Sequence, residues 1–181
     1  IAGFEKGVGA NFAAHEVYFL LRGILAIEKQ CAELEDKPVQ LEAFNGALKE
    51  INETLKSGKV TLSGAEIMDK FAPLLPAGFF DTAEHQFEIS MQEISRLLRL
   101  DDQNDGDTAI LIQPMVYGNY GKDSCSGSFF SRNFVTGEKT LQGKFFEEKF
   151  DDIIAIGKDI NLICPASLKK LQQIAWRLED D

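Results

Sequence analysis

The sequence predicts an α+β fold: a helical bundle, then a small antiparallel sheet with a closing helix. Three observations predict it. Apolar residues recur at three- and four-residue spacing up to residue 100. A polar stretch, Asp101-Asp102-Gln103-Asn104-Asp105-Gly106-Asp107, then breaks that pattern. Beyond it the period falls to two, until Pro165 restores helical spacing. The expected boundaries are therefore a helical part over 1–100, a linker over 101–107 and a mixed part over 108–181.

The first helix is expected over Asn11–Leu34, apolar on most faces and so buried between others. Leu41, Phe44, Leu48, Ile51 and Leu55 mark a second, ending at Ser57-Gly58. Ser63-Gly64-Ala65-Glu66 has the form of a capping box, in which hydroxyl and carboxylate satisfy free backbone N–H groups. Ile67, Phe71 and Leu74 give that short helix its apolar side, and Pro73 and Pro76 help to stop it. Phe87, Met91, Ile94 and Leu98 form a further stripe, expected to be core.

In the second part, Thr108–Tyr117 is β-rich and apolar on both faces, which predicts a central strand. Ser128–Phe134 and Lys139–Phe146 flank Val135-Thr136-Gly137-Glu138, a predicted hairpin. Asp152–Ile156 is expected to add a short strand. Pro165 opens the last helix, with Leu168, Leu171, Ile174, Ala175 and Leu178 on its inner face.

Composition excludes several function classes. The net charge of −10 disfavours nucleic acid and anionic membranes as partners. No apolar run reaches the roughly 18 residues of a membrane span. Residues Ile1-Ala2-Gly3-Phe4 lack the pattern of a signal peptide, and both ends read as cuts within a longer chain. Cys31, Cys125 and Cys164 are far apart in sequence and odd in number, which suggests a reducing, cytoplasmic setting. The acid spacing of Asp101–Asp107 falls short of a calcium loop, since Ile112 stands where the final Glu is required. His15 and His85 stand alone among helical residues and are expected to be structural.

One stretch carries chemistry. Gly118-Asn119-Tyr120-Gly121-Lys122-Asp123-Ser124-Cys125-Ser126-Gly127 has the small residues and hydroxyls that let backbone N–H groups approach an anion. It is not a Walker loop, and a strand rather than a helix follows it. Its neighbours narrow the reading. Ile112-Gln113-Pro114-Met115-Val116-Tyr117-Gly118-Asn119, Ser124-Cys125-Ser126-Gly127, Phe130-Ser131-Arg132-Asn133 and Thr136-Gly137-Glu138-Lys139 follow one another without a gap in register. In order and spacing they resemble the Val-Gln-x-Met-Val-Phe-Gly-Asn, Ser-Gly-Thr-Gly, Phe-Thr-Arg-Asn-Pro and Thr-Gly-Glu-Lys motifs of the pyruvate phosphate dikinase family. Asp151-Asp152-Ile153-Ile154-Ala155 resembles its Glu-Asp-Val-Val-Ala, and Asn11-Phe12-Ala13-Ala14 faintly resembles the start of its Arg-Phe-Ala helix.

The resemblance implies an incomplete ATP-grasp-like domain from a longer phosphotransferase, which uses ATP and magnesium to phosphorylate a histidine on a separate domain. Gln113, Met115 and Val116 would line the adenine pocket, Ser126 and Gly127 would approach the phosphates, and Asp151 would stand near the ribose. The partners implied are ATP and the phosphohistidine and pyruvate/phosphoenolpyruvate domains of the longer chain. The family's phosphate-binding Lys and Arg and its metal-binding groups fall outside this sequence, so the fragment alone is expected to be inactive and to bind ATP weakly. Cys125 in place of the glycine at the second position of the Ser-Gly-Thr-Gly loop, Phe134 in place of Pro, and Lys144 in place of an acid depart from the pattern. Two other readings stay open: a degenerate nucleotide-binding or regulatory module, and a helical interaction domain without catalysis.

Overall fold

A computed structural model describes residues 6–101, 108–148 and 157–180. The chain forms two compact units, Ile1–Leu111 and Ile112–Asp181. Among the described residues they hold a helical first part, a three-stranded antiparallel sheet and a closing helix, an α+β fold.

The first unit is built around α1 (Ala10–Leu34), on which α2 (Pro38–Ser57), α3 (Gly64–Phe71) and α4 (Ala83–Leu100) pack. Leu21 and Leu25 of α1 are wholly buried, as are Ile51 of α2 and Ile67 of α3. Each such side chain contributes roughly 1.5–3 kcal/mol by leaving water. Tyr18 meets Phe71 edge-on, with ring centroids 6.3 Å apart. The helix ends follow from local chemistry. Pro38 sits in the first turn of α2, where its missing N–H costs nothing. Gly58 (φ 64°) then caps α2 in the left-handed region. The capping box forms: Ser63 N–H donates to Glu66 Oε2 at 2.8 Å, and Glu66 N–H donates to Ser63 Oγ at 3.3 Å. At α4, the His85 N–H donates to Thr82 Oγ1 at 3.1 Å.

Helix α4 departs from the expectation. None of its residues is fully buried; Met91, Ile94 and Leu98 are half-buried, and Phe87 is 50% exposed. Charge helps to hold it to α1. Arg96 donates through Nε to Glu35 Oε1 at 3.1 Å and through Nη1 to Glu93 Oε2 at 2.8 Å and Glu28 Oε2 at 3.4 Å. Its Nη2 also bonds Glu35 Oε2. Glu28 is only 7% exposed, the one buried charged residue among those described.

The expected strand over Thr108–Tyr117, which runs from the end of the first unit into the second, is absent. That segment has no ladder, and Leu111, Ile112 and Val116 are 83%, 65% and 87% exposed. A strand needs a neighbour to take its backbone groups, and none lies beside this one among the described residues. The hairpin is present, with strands β1 (Cys125–Phe130) and β2 (Gln142–Glu147) paired so that Gly127 faces Phe145 and Phe130 faces Gln142. The first strand begins and ends earlier than the sequence suggests and the second later, because residues 131–141 form a longer connection. Asn133 organises it: its Oδ1 accepts from the Val135 and Thr136 N–H groups at 2.9 and 3.0 Å, and its carbonyl accepts from Gly137 at 2.8 Å.

The short β3 (Lys158–Asp159) adds to the far side of β2. The strand expected over Asp152–Ile156 lies outside the described residues. Helix α5 (Pro165–Asp180) covers the sheet. Leu141, Phe145, Ile160 and Ala175 form the core, with Phe129, Leu168, Leu171 and Trp176 packed against it. Ile174 and Leu178, expected on the inner face, are 54% and 73% exposed; Ala175 and Trp176 meet the core instead.

Candidate functional site

The Gly/Ser-rich stretch lies directly against the sheet. Gly118 is buried, and a Cβ there would stand 2.8 Å from the Ser126 Cβ and 2.9 Å from the Cys125 carbonyl oxygen. Only a residue without a side chain lets the chain pass so near β1. Gly121 (φ 110°) turns the chain, and Ser124 closes the turn by donating its N–H and hydroxyl to the Gly121 carbonyl at 3.0 and 2.7 Å.

The expected phosphate loop at Ser124–Gly127 is strand from Cys125 onward. Gly127 has a structural reason to be glycine: a Cβ would stand 2.6 Å from the Lys144 carbonyl oxygen and 3.0 Å from the Phe145 Cα. Gly127→Val would therefore push the strands apart before it could obstruct any ligand, so it is not a clean probe of phosphate approach.

A cavity of about 350 Å³ opens between this face and α5. Ser126, Gly127, Phe129, Phe145, Lys170 and Ile174 are among the residues that line it. Its size is at the small end of the roughly 300–1,000 Å³ that ligand pockets occupy. Apolar walls with a few hydroxyls and one cation suit a flat ring bearing a negative group. Gln113, Met115 and Val116 are not among the lining residues; all three are exposed, Val116 by 87%. Asp151 lies outside the described residues. The structure thus brings two of the expected site residues together and leaves three apart from them.

Lys170 is the group that sequence reasoning missed. A lysine on an exposed helix reads as solvated surface, and only the docking of Leu171 on the sheet core puts Lys170 at the cavity. The nearby cations of the hairpin are otherwise engaged. Arg132 donates to Glu179 Oε2 at 2.9 Å and to the Gly137 carbonyl at 3.1 Å, and Lys139 lies 3.9 Å from Glu179. His15 meets Phe19 edge-on at 5.0 Å, and His85 lies 3.9 Å from Asp81, both in the first unit. Among the described residues, no group of three or more His, Cys, Asp or Glu is placed to hold a metal ion.

Relatedness decides what kind of protein this is. The chain is 51% identical over 179 residues to pyruvate, phosphate dikinase of Treponema pallidum, covering 99% of this chain and 20% of that one. It is 31% identical over 171 residues to the chloroplastic pyruvate, phosphate dikinase of Mesembryanthemum crystallinum, covering 86% of this chain. The chain belongs to the pyruvate, phosphate dikinase family over this segment. The Rickettsia conorii dikinase is similar over a shorter stretch, 41% identical across 42% of this chain. The chain spans about a fifth or less of the length of these dikinases. No protein-family model matches it, and no solved structure does. No described helix is long and apolar enough to cross a membrane.

Proposed function

We propose that this chain contributes part of the ATP site of a longer dikinase-type phosphotransferase, which phosphorylates a histidine on a separate domain. The observation that carries the reading is its near end-to-end similarity to the Treponema pallidum pyruvate, phosphate dikinase. In this reading Gln113, Met115 and Val116 receive the adenine, Ser126 and Gly127 lie toward the phosphates, and Asp151 stands near the ribose. Supporting it, Ser126 and Gly127 border a cavity with apolar walls and one lysine. The exposure of Met115 and Val116 is also in keeping with a surface that other parts of the longer protein would cover. When bound, ATP supplies the phosphoryl group and magnesium offsets its charge. This segment's residues would hold and orient the base end, and the metal ligands would come from outside them. The remaining partners are the phosphohistidine and pyruvate/phosphoenolpyruvate domains of the longer chain.

A second reading, a segment of a dikinase-like protein with altered nucleotide chemistry, is favoured by Cys125 at the first glycine of the Ser-Gly-Thr-Gly motif. Photolabelling the full-length protein with 8-azido-ATP separates the two. The first reading predicts ATP-protectable label on peptides carrying Gln113–Val116 or Ser126–Gly127. Protectable label confined to other parts of the protein would overturn it.

A further inference from the structure

Cys125 and Cys164 are both exposed and both free thiols. Cys125 is the first residue of β1, and Cys164 immediately precedes Pro165 at the start of α5. Three observations place them on the same side of the sheet. Side chains alternate along a strand, so Cys125 shares a face with Gly127 and Phe129, and Phe129 packs against the core that α5 covers. Cys125 also lines the same cavity as Ile163, the residue before Cys164, and Ser167, three residues after it. The Cys164 Sγ itself is 3.1 Å from Ser167 Oγ.

We infer that Cys125 and Cys164 form a reversible dithiol–disulfide pair, oxidised by a peroxide, whose bond ties the start of β1 to the start of α5 across the rim of the cavity. The pair is asymmetric in the way such chemistry requires. The Ser167 hydroxyl, aided by the Ser167 and Ala166 N–H groups, holds the Cys164 thiol below its usual range. Burial, and then the charge of Cys164, pushes the Cys125 thiol up. Cys164 is accordingly the attacking thiolate and Cys125 the resolving thiol. The Cys164 sulfur attacks one oxygen of hydrogen peroxide, the O–O bond breaks, and hydroxide leaves with a sulfenic acid on Cys164. The Cys125 sulfur then attacks that sulfur, the S–O bond breaks, and the departing hydroxide takes up the thiol proton. In sum two thiols and one peroxide give one disulfide and two waters. A thiol reductant returns both sulfurs to the thiol. The chemistry is independent of the nucleotide reading, because it uses only groups in the second unit and no bound ligand.

The test is to reduce the purified protein, remove the reductant, add hydrogen peroxide, and alkylate the remaining thiols before tryptic mapping. The expected result is loss of two of the three thiols together. The peptides Asp123–Arg132 and Asp159–Lys169 should be joined and two hydrogens lighter than their sum, and dithiothreitol should separate them. Buried Cys31 should remain alkylatable after unfolding. Cys125→Ser should leave a sulfenic acid on Cys164 that dimedone traps, whereas Cys164→Ser should leave Cys125 reduced. A mixture of isotopically heavy and light protein shows whether the joined peptides come from one chain. The inference is overturned if they join only between chains, if Cys164 proceeds to sulfinic acid while Cys125 stays alkylatable, or if neither thiol is consumed. The wild-type map decides the matter even if a variant fails to fold.

Discussion

Replacing Arg96 by leucine should cost the protein about 3 kcal/mol at pH 8 and about half that at pH 5. Arg96 lies among three carboxylates, with Glu35 and Glu93 at bonding distance and Glu28 at 3.4 Å. Removing one member of a buried ion pair typically costs about 3–5 kcal/mol, because the other charge is left without compensation. Here the Arg96 side chain keeps 29% of its exposure, which places the loss at the lower end. Glu28 can escape by taking a proton. For a carboxyl of ordinary pKa near 4.3, that costs roughly 5 kcal/mol at pH 8 and about 1 kcal/mol at pH 5, at ~1.4 kcal/mol per unit. Escape is therefore closed at pH 8 and open at pH 5. Burial, and then Glu93, already raises the pKa of Glu28, so its contribution is greatest at low pH and is lost as pH rises. Losing the attraction of Arg96 steepens that slope. Urea unfolding followed by far-ultraviolet circular dichroism at both pH values measures the loss. Adding Glu28→Gln to the variant should recover much of it at pH 8 and little at pH 5. An Arg96→Leu loss below about 0.5 kcal/mol, or one that Glu28→Gln does not relieve, would refute the reasoning.

Other outcomes follow from single contacts. Hydrogen bonds, first from Arg96 and then Lys37, hold the Glu35 carboxyl down at about 2. Its contribution is thus present above the ordinary carboxylate range and fades as pH falls toward 2, and Arg96→Leu should reduce it to the part Lys37 maintains in an acid titration of helicity. A Cβ at Gly143 would stand 2.2 Å from the Ser128 carbonyl oxygen and 2.5 Å from the Phe129 Cα. Gly143→Ala should therefore cost at least the roughly 1–3 kcal/mol of an overpacked site, read from the fluorescence of Trp176, the sole tryptophan and a neighbour of that core. Unchanged urea midpoints would contradict it. Ser63→Ala removes one half of the capping box and should cost about 1 kcal/mol, measured by the same unfolding.

Particular residues show what the sequence could and could not reveal. Helix ends set by neighbours in sequence were legible: the Ser63–Glu66 box, Gly58 after α2 and Pro165 at α5 all act where their chemistry predicts. The turn at Gly137 was legible too, but its width was not, because Asn133 spends its side chain on Val135 and Thr136 and delays the ladder. Asn before a glycine turn was an available signal. The segment Thr108–Tyr117 misled through composition alone, since β-branched and apolar residues make a strand only when another strand accepts their backbone groups. At the site, Ser126 and Gly127 were found from the motif, whereas Lys170 depends on how α5 docks, a tertiary fact with no local trace. Arg96 is similar: its importance comes from Glu28 and Glu35, more than sixty residues away.

The central claim is that this segment holds part of a nucleotide site and that the rest lies elsewhere in a longer dikinase-type protein. Calorimetric titration with Mg-ATP, run on the 181-residue chain and on the full-length protein, tests it most directly. The account predicts saturable binding to the full-length protein and only weak, unsaturated heat with the chain alone. Sub-micromolar binding by the chain alone would contradict it.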